Sequence, residues 1–390
     1  MSFFDVLRWP LEKISQVPFS WQGLTPELLV LLFALLAPLV ALRNADRRGM
    51  QQFAAIGLGG AFLLTLGSLR SWSFDLPGTG VDFTLKYLGS NLRDAYVISE
   101  ASQLFKLIFL GTAFIAVLGM SRPLEGKTEE DWGEFVSLLM FATLGMMVVA
   151  SSRELMTLVL GLEMASISSY LLAAFRRDAL GAEAGLKYFV IGAISTGLTL
   201  FGVSLLYGMA GTTNIAAIGA AVTEGGGMDA ASLLGIALLL GGLGFKISMV
   251  PFHAWAPDVY CGSPVPVAGV LAASSKAMGF VAVFQVFLVA LMGVKANWEL
   301  AVALLAVATM TVGNLVALQQ TSVRRMLAYS SIAQAGYLLI AVAVGTTYAV
   351  SGGVLHLIVN AAMKMGAFLV VGAVVVAGVP DRLDTWRGLG

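Results

Sequence analysis

The sequence predicts an all-α polytopic membrane protein, and three observations carry that prediction. Of its 390 residues, 58% are hydrophobic and only 12% are charged, with a mean hydropathy of +0.86, whereas soluble domains carry roughly 25% charged residues. Apolar runs long enough to cross ~30 Å of hydrocarbon recur along the chain. One of these runs is broken by a proline-rich stretch that lies between two lysines.

Residues 1–24 precede the first apolar run. Trp9 and its apolar neighbours are mixed with Asp5 and Arg8, and Pro10 interrupts the pattern. This stretch is too short and too charged for a signal peptide, so the pattern predicts an interfacial N-terminal segment.

About eleven transmembrane helices follow, at roughly 20 apolar residues per crossing. The candidate spans lie near 25–42, 52–69, 102–120, 133–150, 154–175, 185–210, 230–250, 266–293, 298–319, 327–346 and 350–378. The first three occupy residues 25–120.

Basic residues in the loops predict the orientation of the chain. Alternating crossings place one set at a single membrane face: Arg43, Arg47, Arg48, Arg122, Lys127, Arg176, Arg177, Arg324, Arg325, Arg382 and Arg387. The other face holds fewer, and only Arg153 and Lys295 lie there in short loops. Short basic loops stay in the cytoplasm, so this distribution predicts that the amino terminus lies outside.

The stretch from Gly244 to Phe280 predicts a discontinuous helix. Pro251, Pro257, Pro264 and Pro266 lie in it, and proline removes a backbone donor and clashes with the preceding turn. Non-helical backbone at membrane depth persists only where protein or water satisfies its polar groups. An interior polar cavity beside a broken helix is therefore expected, as in many ion pathways.

Five lysines fall inside the candidate spans, at Lys106, Lys187, Lys246, Lys276 and Lys364. A charged lysine at a helix centre costs roughly 2.5–3.5 kcal/mol on insertion scales, so such residues face a bundle interior with a partner or a wet path. Glu163 is the best acidic partner because apolar residues flank it within its span.

A second set of polar residues is His356, Asn360 and Lys364. Their spacing of four residues places them on one helix face over two turns. Histidine titrates near neutral pH, so this polar stripe could relay a proton along ordered water.

Structural explanations compete for several of these residues. Lys106 and Lys187 lie near span ends, where a side chain that snorkels to the interface is as good an explanation as a functional role. Asp258 and Trp255 are interpreted as a cap and an anchor of the broken segment. The lysines Lys246 and Lys276 are interpreted as functional.

Composition excludes several classes of function. The 23 basic and 23 acidic residues balance, which argues against nucleic acid as a partner. One cysteine, Cys261, excludes an internal disulfide framework and a cysteine-held cluster supplied by this chain alone. No dinucleotide fingerprint follows a strand, and no metal site is predicted.

Several motifs together resemble a known family. They are GFKISMVPFHAWAPDVYCGSPVPV, SSKAMGF, RRMLAYSSIAQAGYLL, LVLGLEMAS and LKYFVIGA, which cover roughly residues 100–390 in order. The chain resembles the antiporter-like, proton-translocating subunits of respiratory complex I, specifically the N-type subunit. Related chains occur in coenzyme F420- or ferredoxin-linked complexes, membrane-bound hydrogenases and multisubunit sodium/proton antiporters.

The resemblance implies inverted repeats, each with a broken helix, and a line of buried charges between two half-channels. It divides the chain into an interfacial segment (1–24), three helices (25–120), a first repeat (121–293) and an incomplete second repeat (294–390). Glu163 resembles the family's glutamate, Lys246 the lysine of the broken helix and Lys276 the central lysine. Lys187 resembles a further lysine of the first repeat. Because the resemblance brings their helices together, we predict a membrane-embedded ion pair between Glu163 and Lys246.

The implied function is proton translocation through Glu163, Lys187, Lys246, Lys276, His356 and Lys364, driven by redox chemistry in other subunits. Those subunits would hold the quinone (or methanophenazine) site, the flavin and the iron–sulfur clusters, and this chain would hold no cofactor. The implied partners are neighbouring antiporter-like and small membrane subunits in a prokaryotic cell membrane.

The sequence departs from the family at two places. N-type chains continue for about three more spans that include a second broken helix with its own lysine, whereas this sequence stops at DRLDTWRGLG. A second polypeptide, a fragmentary sequence or a naturally shortened member would each account for this. The stripe at His356, Asn360 and Lys364 is closer to that of the sister M- and L-type subunits.

Two other functions fit the same residues. One is a subunit of a sodium/proton antiporter, or of a membrane-bound hydrogenase. The other is a structural spacer without transport. Lysine and histidine, rather than oxygen ligands, line the predicted path, which favours protons over sodium.

Overall fold

The computed structural model describes residues 24–43, 46–69, 87–91, 95–120, 131–224 and 229–388. Within them are ten helices long and apolar enough to span a membrane, and a shorter apolar helix, Ala230–Lys246. The prediction of an all-α membrane protein is confirmed. The interfacial segment lies outside the described residues except for its last position, as do the predicted loop residues Arg122 and Lys127.

Three helices form the amino-terminal part. They are α1 (Thr25–Arg43), α2 (Arg47–Gly67) and α3 (Glu100–Leu118). A short antiparallel pair, β1 (Tyr87–Asn91) and β2 (Val97–Ser99), leads directly into α3. The Ser99 side chain accepts a hydrogen bond from the Ser102 backbone and caps the start of α3, because the first amides of a helix lack intrahelical partners.

The next three helices are α4 (Asp131–Ser151), α5 (Leu155–Ala173) and α6 (Ala179–Ala210). α4 packs on both α1 and α5, which joins the amino-terminal helices to the rest of the bundle. Asp178 caps α6, where it accepts the Gly181 amide at 2.7 Å. α6 ends at Gly211, whose φ of 65° lies in the left-handed region that glycine adopts without steric cost.

The predicted discontinuous helix is present. After α7 (Ile215–Glu224), α8 runs over Ala230–Lys246, the backbone leaves the helix, and α9 continues over Trp255–Gly262. Both halves pack antiparallel along α6: Gly235 lies against Gly202, and Gly262 against Leu180 and Ala184. The two halves therefore make one interrupted crossing, which brings the total to the eleven predicted.

Two side chains satisfy backbone groups that the break exposes. Trp255 Nε1 donates to the Phe245 carbonyl at 3.2 Å, and the Val250 amide donates to Thr309 Oγ1 at 3.1 Å. Such partners are required where the backbone is not helical at membrane depth. The interpretation of Trp255 as an anchor of the broken segment is confirmed.

The following helix, α10 (Val265–Ala290), is the central element of the bundle. Its most apolar 18-residue stretch is completely buried in protein. It changes to π-helical geometry over Leu271–Ser275, returns to α over Lys276–Val283 and is π-helical again over Phe284–Ala290. Such π-helical turns are rare in proteins overall, and those that occur are often found at functional sites. Lys276 follows the first of them directly.

Three helices complete the described chain, namely α11 (Glu299–Ala317), α12 (Val323–Val344) and α13 (Thr347–Val376). Short 3₁₀ segments lie at Met292–Asn297 and Leu383–Trp386. α11 packs closely on α12, and α13 packs on both α12 and α10.

Several of the loop arginines meet at one end of the bundle. Arg177 pairs with Asp131 and Glu134 at the start of α4. At the start of α12, Arg324 pairs with Asp381 and donates to the Cys261 carbonyl at the end of α9. This end is called the arginine end below, and its composition is that of the predicted cytoplasmic face.

We expect Gly145→Ala to lower the stability of the bundle. A Cβ built at Gly145 lies 2.5 Å from the Ala165 amide nitrogen and 2.7 Å from the Gly161 carbonyl, so α4 and α5 must separate. Overpacking of this kind costs about 1–3 kcal/mol. The measurement is unfolding of the purified protein in mixed micelles with increasing SDS.

Gly197→Ala is the matched control, because nothing lies within 4 Å of the added atom and alanine favours a helix over glycine. Equal unfolding midpoints for the two variants would contradict the close approach of α4 and α5.

Candidate functional site

The first part of the site is a small polar cavity between α5, α6 and α8. Its lining includes Glu163, Ser166, Thr196 and Lys246. The cavity has a volume of about 20 Å³, which is room for about one water molecule. The sequence therefore brings its best acid and its broken-helix lysine to one chamber.

Hydroxyl groups hold the two charged groups of this chamber. Lys246 Nζ donates to Ser166 Oγ at 2.7 Å, and Thr196 Oγ1 donates to Glu163 Oε1 at 2.6 Å. Ser166 lies one helical turn beyond Glu163, so both project from the same face of α5.

Glu163 and Lys246 share this chamber without direct contact, so an ion pair between them bridged by water stays a prediction. Both residues are described, yet their charged atoms are not within the 4.0 Å of an ion pair. The reason is that each charge has its own hydroxyl partner across the cavity.

An aromatic wall fixes Lys246 on its other side. Its ammonium lies 5.8 Å from the centre of the Tyr188 ring, within the range of a cation–π contact. Tyr188 stacks on Trp255 at 4.4 Å with an interplanar angle of 7°. Because Trp255 also binds the Phe245 carbonyl, the residues that stabilise the break are the residues that position the lysine.

Lys276 forms the second part of the site. Its side chain is buried, at 1% exposure, and its ammonium donates to the Ser331 carbonyl at 2.6 Å. Two hydroxyl groups lie beside this position: the Tyr188 hydroxyl approaches Ser275, and the Tyr260 hydroxyl approaches Ser331. Neither tyrosine hydroxyl completes a hydrogen bond among the described residues.

Lys364 forms the third part and lies beside Lys276. Its ammonium donates to Ser330 Oγ at 2.8 Å and lies 3.5 Å from the Leu327 carbonyl. Ser330 and Ser331 are consecutive in α12, so one turn of helix holds both ammonium groups.

The polar stripe continues from Lys364 along α13. Asn360 is buried, at 1% exposure, whereas His356 is half-buried with its ring edge-on to Tyr337 at 6.4 Å. His356 Nε2 and Asn360 Oδ1 have no hydrogen-bond partner in the described part of the chain. The predicted common face is therefore present, while its use as a proton relay stays a prediction.

Lys187 lies apart from the three buried lysines. Its side chain is 40% exposed and bonds Glu183 and Asp258, each at 2.6 Å. Asp258 also pairs with Arg325 at 2.5 Å, so it joins charges at the arginine end and makes no side-chain cap to α9. The interpretation of Asp258 as a helix cap is wrong.

Sequence reasoning missed Glu27, the acid that pairs with Lys106. Lys106 is fully buried and lies 2.7 Å from Glu27, so of the two explanations left open for it, snorkelling to the interface is excluded. Tyr96 donates to the same carboxylate oxygen at 2.7 Å. Glu27 falls in the first turn of α1. A carboxylate is common at that position because it interacts favourably with the helix dipole, so the sequence pattern did not indicate that Glu27 is buried.

Residues 152–389 match the model of a family described as NADH:quinone oxidoreductase/Mrp antiporter, TM. This match takes in every residue of the chamber, of the Lys276–Lys364 region and of the stripe on α13. It begins after α4, so the Glu27–Lys106 pair lies outside it.

Among characterised proteins, the chain is 41% identical over 382 residues to the F(420)H(2) dehydrogenase subunit N of Methanosarcina mazei, covering 94% of this chain and 75% of that one. It is 44% identical over 304 residues to the NADH-quinone oxidoreductase subunit N of Trichlorobacter lovleyi, covering 77% and 62% of the two chains. The structure matches a chain of respiratory complex I from Thermus thermophilus with a TM-score of 0.71 at 32% identity, over 94% and 74% of the two chains.

We expect Ser166→Ala to destabilise the protein by about 1–3 kcal/mol, because it removes the hydroxyl that accepts from the buried Lys246 ammonium. Combined with Lys246→Met, the loss should be smaller than the sum, with a coupling energy of about 0.5–3 kcal/mol. SDS unfolding in mixed micelles of the two single variants and the double variant measures this coupling.

Ser168→Ala is the matched control for this cycle. Ser168 lies on the same helix, is buried, and donates only to the Met164 carbonyl of its own helix at 2.9 Å. A coupling of zero between positions 166 and 246 would contradict the contact.

Proposed function

The chain belongs to the NADH:quinone oxidoreductase/Mrp antiporter transmembrane family, and from that premise we propose that it is the proton-translocating, N-type membrane subunit of a complex I-like oxidoreductase. It is an integral membrane protein. The relatives named subunit N belong to an F(420)H(2) dehydrogenase and an NADH-quinone oxidoreductase. They support a role in the membrane part of an enzyme complex.

The observation that carries this proposal is the row of buried ammonium groups. Lys246, Lys276 and Lys364 are each at most 6% exposed, and each contacts a hydroxyl or a carbonyl of a neighbouring helix. Ionisable groups placed this way in a membrane are costly and mark ion or proton pathways. A structural spacer has no need of such a row.

Electrostatic repulsion supplies a mechanism for moving protons along the row. Like charges at the separations found in a protein interior repel by several kcal/mol at an effective dielectric constant near 20. Because one turn of α12 holds both ammonium groups, a proton that arrives at Lys276 or Lys364 disfavours a proton on the other. At the other end of the row, we propose that the negative charge of Glu163 favours the proton on Lys246.

Water would complete the connections that the side chains leave open. The cavity between Glu163 and Lys246 has room for about one molecule. The unpaired Tyr188 and Tyr260 hydroxyls lie beside the two serines next to Lys276. A proton could pass from Lys246 toward Lys276 and Lys364 through these groups, and then along Asn360 and His356.

Lys187 is proposed as an entry residue of this pathway. It lies at the arginine end in a half-exposed cluster with Asp258 and Arg325, and the next residue, Tyr188, contacts Lys246. A charged cluster at the mouth of a pathway attracts or repels ions before they enter.

The redox cofactors are proposed to belong to partner subunits. Both named relatives are subunits of enzymes that oxidise a reduced carrier, whereas one cysteine is too few to hold a cysteine-ligated cluster. The quinone or methanophenazine site, the flavin and the iron–sulfur clusters would then drive this subunit from a distance. Neighbouring antiporter-like and small membrane subunits are the proposed contacts.

The internal division of the chain is also a proposal. A first repeat over 121–293 would contain the chamber and Lys276, and a second repeat over 294–390 would contribute the serines of α12 and the stripe of α13. The break between α8 and α9 and the single long α10 support the first repeat.

We expect Lys246→Ala, in the intact complex reconstituted in proteoliposomes, to lower the rate of proton translocation by about 100-fold or more, as is typical for loss of a positioned proton-transfer group. Proton uptake is followed with a pH-sensitive dye while the reduced donor is supplied. Lys295→Ala serves as control, because Lys295 forms an ion pair with Glu299 at 3.2 Å outside the row. Wild-type pumping by Lys246→Ala would refute the row as the pathway.

The same vesicles test the antiporter alternative that the family description includes. With no electron donor present, an imposed sodium gradient should drive no proton movement if the proposal is correct. Sodium-driven proton movement that Lys246→Ala abolishes would assign the chain to the antiporter class instead.

Lys187→Ala is expected to slow translocation less than Lys246→Ala does. Its ammonium is replaceable by water at a half-exposed position, whereas Lys246 is enclosed. The comparison uses initial rates at low and high salt, because screening weakens exposed charges more than buried ones. An unchanged rate at both salt concentrations would remove Lys187 from the pathway.

A further inference from the structure

The buried pair of Glu27 and Lys106 lies outside the row and at the opposite end of the bundle. Glu27 begins α1, and Lys106 follows the start of α3. Tyr96 pairs with Ser152, which directly follows the end of α4, whereas the start of α4 meets Arg177 at the arginine end. The pair therefore lies toward the predicted outer face.

Contacts in this cluster converge on one carboxylate oxygen. Glu27 Oε1 accepts from Tyr96 at 2.7 Å and lies 2.7 Å from Lys106 Nζ. The lysine also lies 5.3 Å from the centre of the Tyr96 ring. All three residues are at most 6% exposed, and Lys106 is completely enclosed.

The second carboxylate oxygen is buried and unused. Glu27 Oε2, Gln103 Oε1, Lys106 Nζ and Ser151 Oγ have no hydrogen-bond partner within the described ranges, so the 2.7 Å approach of Lys106 to Glu27 is an ion pair without hydrogen-bond geometry. Gln103 lies one turn before Lys106 on α3, and Ser151 interacts with Tyr96 from the end of α4. Orphaned polar atoms on three helices are characteristic of a site that holds water.

A purely structural role does not explain why this buried contact is an ion pair. Burying two opposite charges seldom adds net stability relative to apolar residues, because desolvation offsets the attraction. The same pair can also exist as two neutral groups. Transfer of one proton from the ammonium to the carboxylate leaves an amine and a carboxylic acid.

We propose that Glu27, Tyr96 and Lys106 form a second proton-exchange site, on the outer side of the amino-terminal helices. The proton moves from the Lys106 ammonium to Glu27: one N–H bond breaks, one O–H bond forms at the carboxylate, and both groups become neutral. The Glu27 proton then leaves to water at the outer face, and the Lys106 amine takes a proton from water inside the bundle. Tyr96 donates to the carboxylate and holds it in place.

Within the described residues, the charged and titratable groups near this pair are Tyr96, Glu100 and Arg153. Tyr96 faces it from the segment before β2, Glu100 lies in the first turn of α3 itself, and α4 contributes the neutral Ser151. The amide of Arg153 donates to the Ala95 carbonyl, next to Tyr96.

A polar contact connects this part of the protein with the row. Thr112 Oγ1 of α3 meets Ser274 Oγ of α10, both buried, two residues before Lys276. Lys106 and Thr112 are six residues apart on one helix, about 9 Å along its axis. The proposal rests on the proposed function, since only a proton-translocating subunit would supply this site.

The test uses the intact complex and substitutes Lys106→Arg. Arginine keeps the positive charge and can pair with Glu27, but it does not release its proton in proteins. We expect the complex to assemble, and the number of protons moved per electron pair to fall. Lys295→Arg is the control, because Lys295 is another lysine paired with a glutamate and lies outside the cluster.

A spectroscopic readout separates exchange from structural support. Infrared difference spectra between two pH values should show a carboxylic acid band that Glu27→Gln removes and that Lys106→Arg suppresses. Tyr96→Phe, which keeps the ion pair and removes one hydrogen bond to the carboxyl group, should shift the frequency of this band. The Tyr96→Phe variant also provides a test if the complex that carries Lys106→Arg does not assemble.

The outcomes distinguish this site from the row. Wild-type stoichiometry and an unchanged carboxyl band in Lys106→Arg would overturn the second site, even if Lys246→Ala abolishes pumping. A Tyr96→Phe variant whose carboxyl band lies at the wild-type frequency would do the same. Loss of pumping in Lys106→Arg together with normal pumping in Lys246→Ala would instead refute the row as the pathway.

Discussion

An ammonium group inside the bilayer must have hydrogen-bond acceptors, and the interior of this bundle is arranged around that requirement. Lys246 bonds a serine hydroxyl, Lys276 a backbone carbonyl, and Lys364 a second serine hydroxyl. None of these acceptors carries a full charge. A lysine held by neutral groups can lose its proton without leaving a buried anion behind, which a salt bridge would do.

Irregular helix geometry places these lysines. The break after Lys246 frees backbone groups that Trp255 and Thr309 bind, and Trp255 then supports the tyrosine ring against the lysine. A π-turn directly precedes Lys276. Departures from α-helical geometry cost stability, and they recur where a membrane protein conducts ions.

Among the described residues, full ion pairs lie toward the two ends of the bundle, whereas neutral groups hold the lysines of the row. Arginines and acids pair at one end, where side chains are partly exposed and such pairs contribute little stability. At the other end Glu27 and Lys106 pair in complete burial. The family match begins after α4, so the amino-terminal helices add a charged element that the family's shared region does not contain.

The sequence alone determined the class of fold, the eleven crossings, the break between α8 and α9 and the residues of the row, because hydropathy and proline act locally. Only the tertiary structure decided the partners: Lys246 and Ser166 are separated by 80 positions in sequence, and Lys276 and Ser331 by 55. The hydroxyl partners of Glu163 and Lys246 and the pairing of Lys106 with Glu27 could not be predicted for this reason. Which hydroxyl or carboxylate reaches a buried lysine depends on how helices distant in sequence pack together, and no local pattern records that packing.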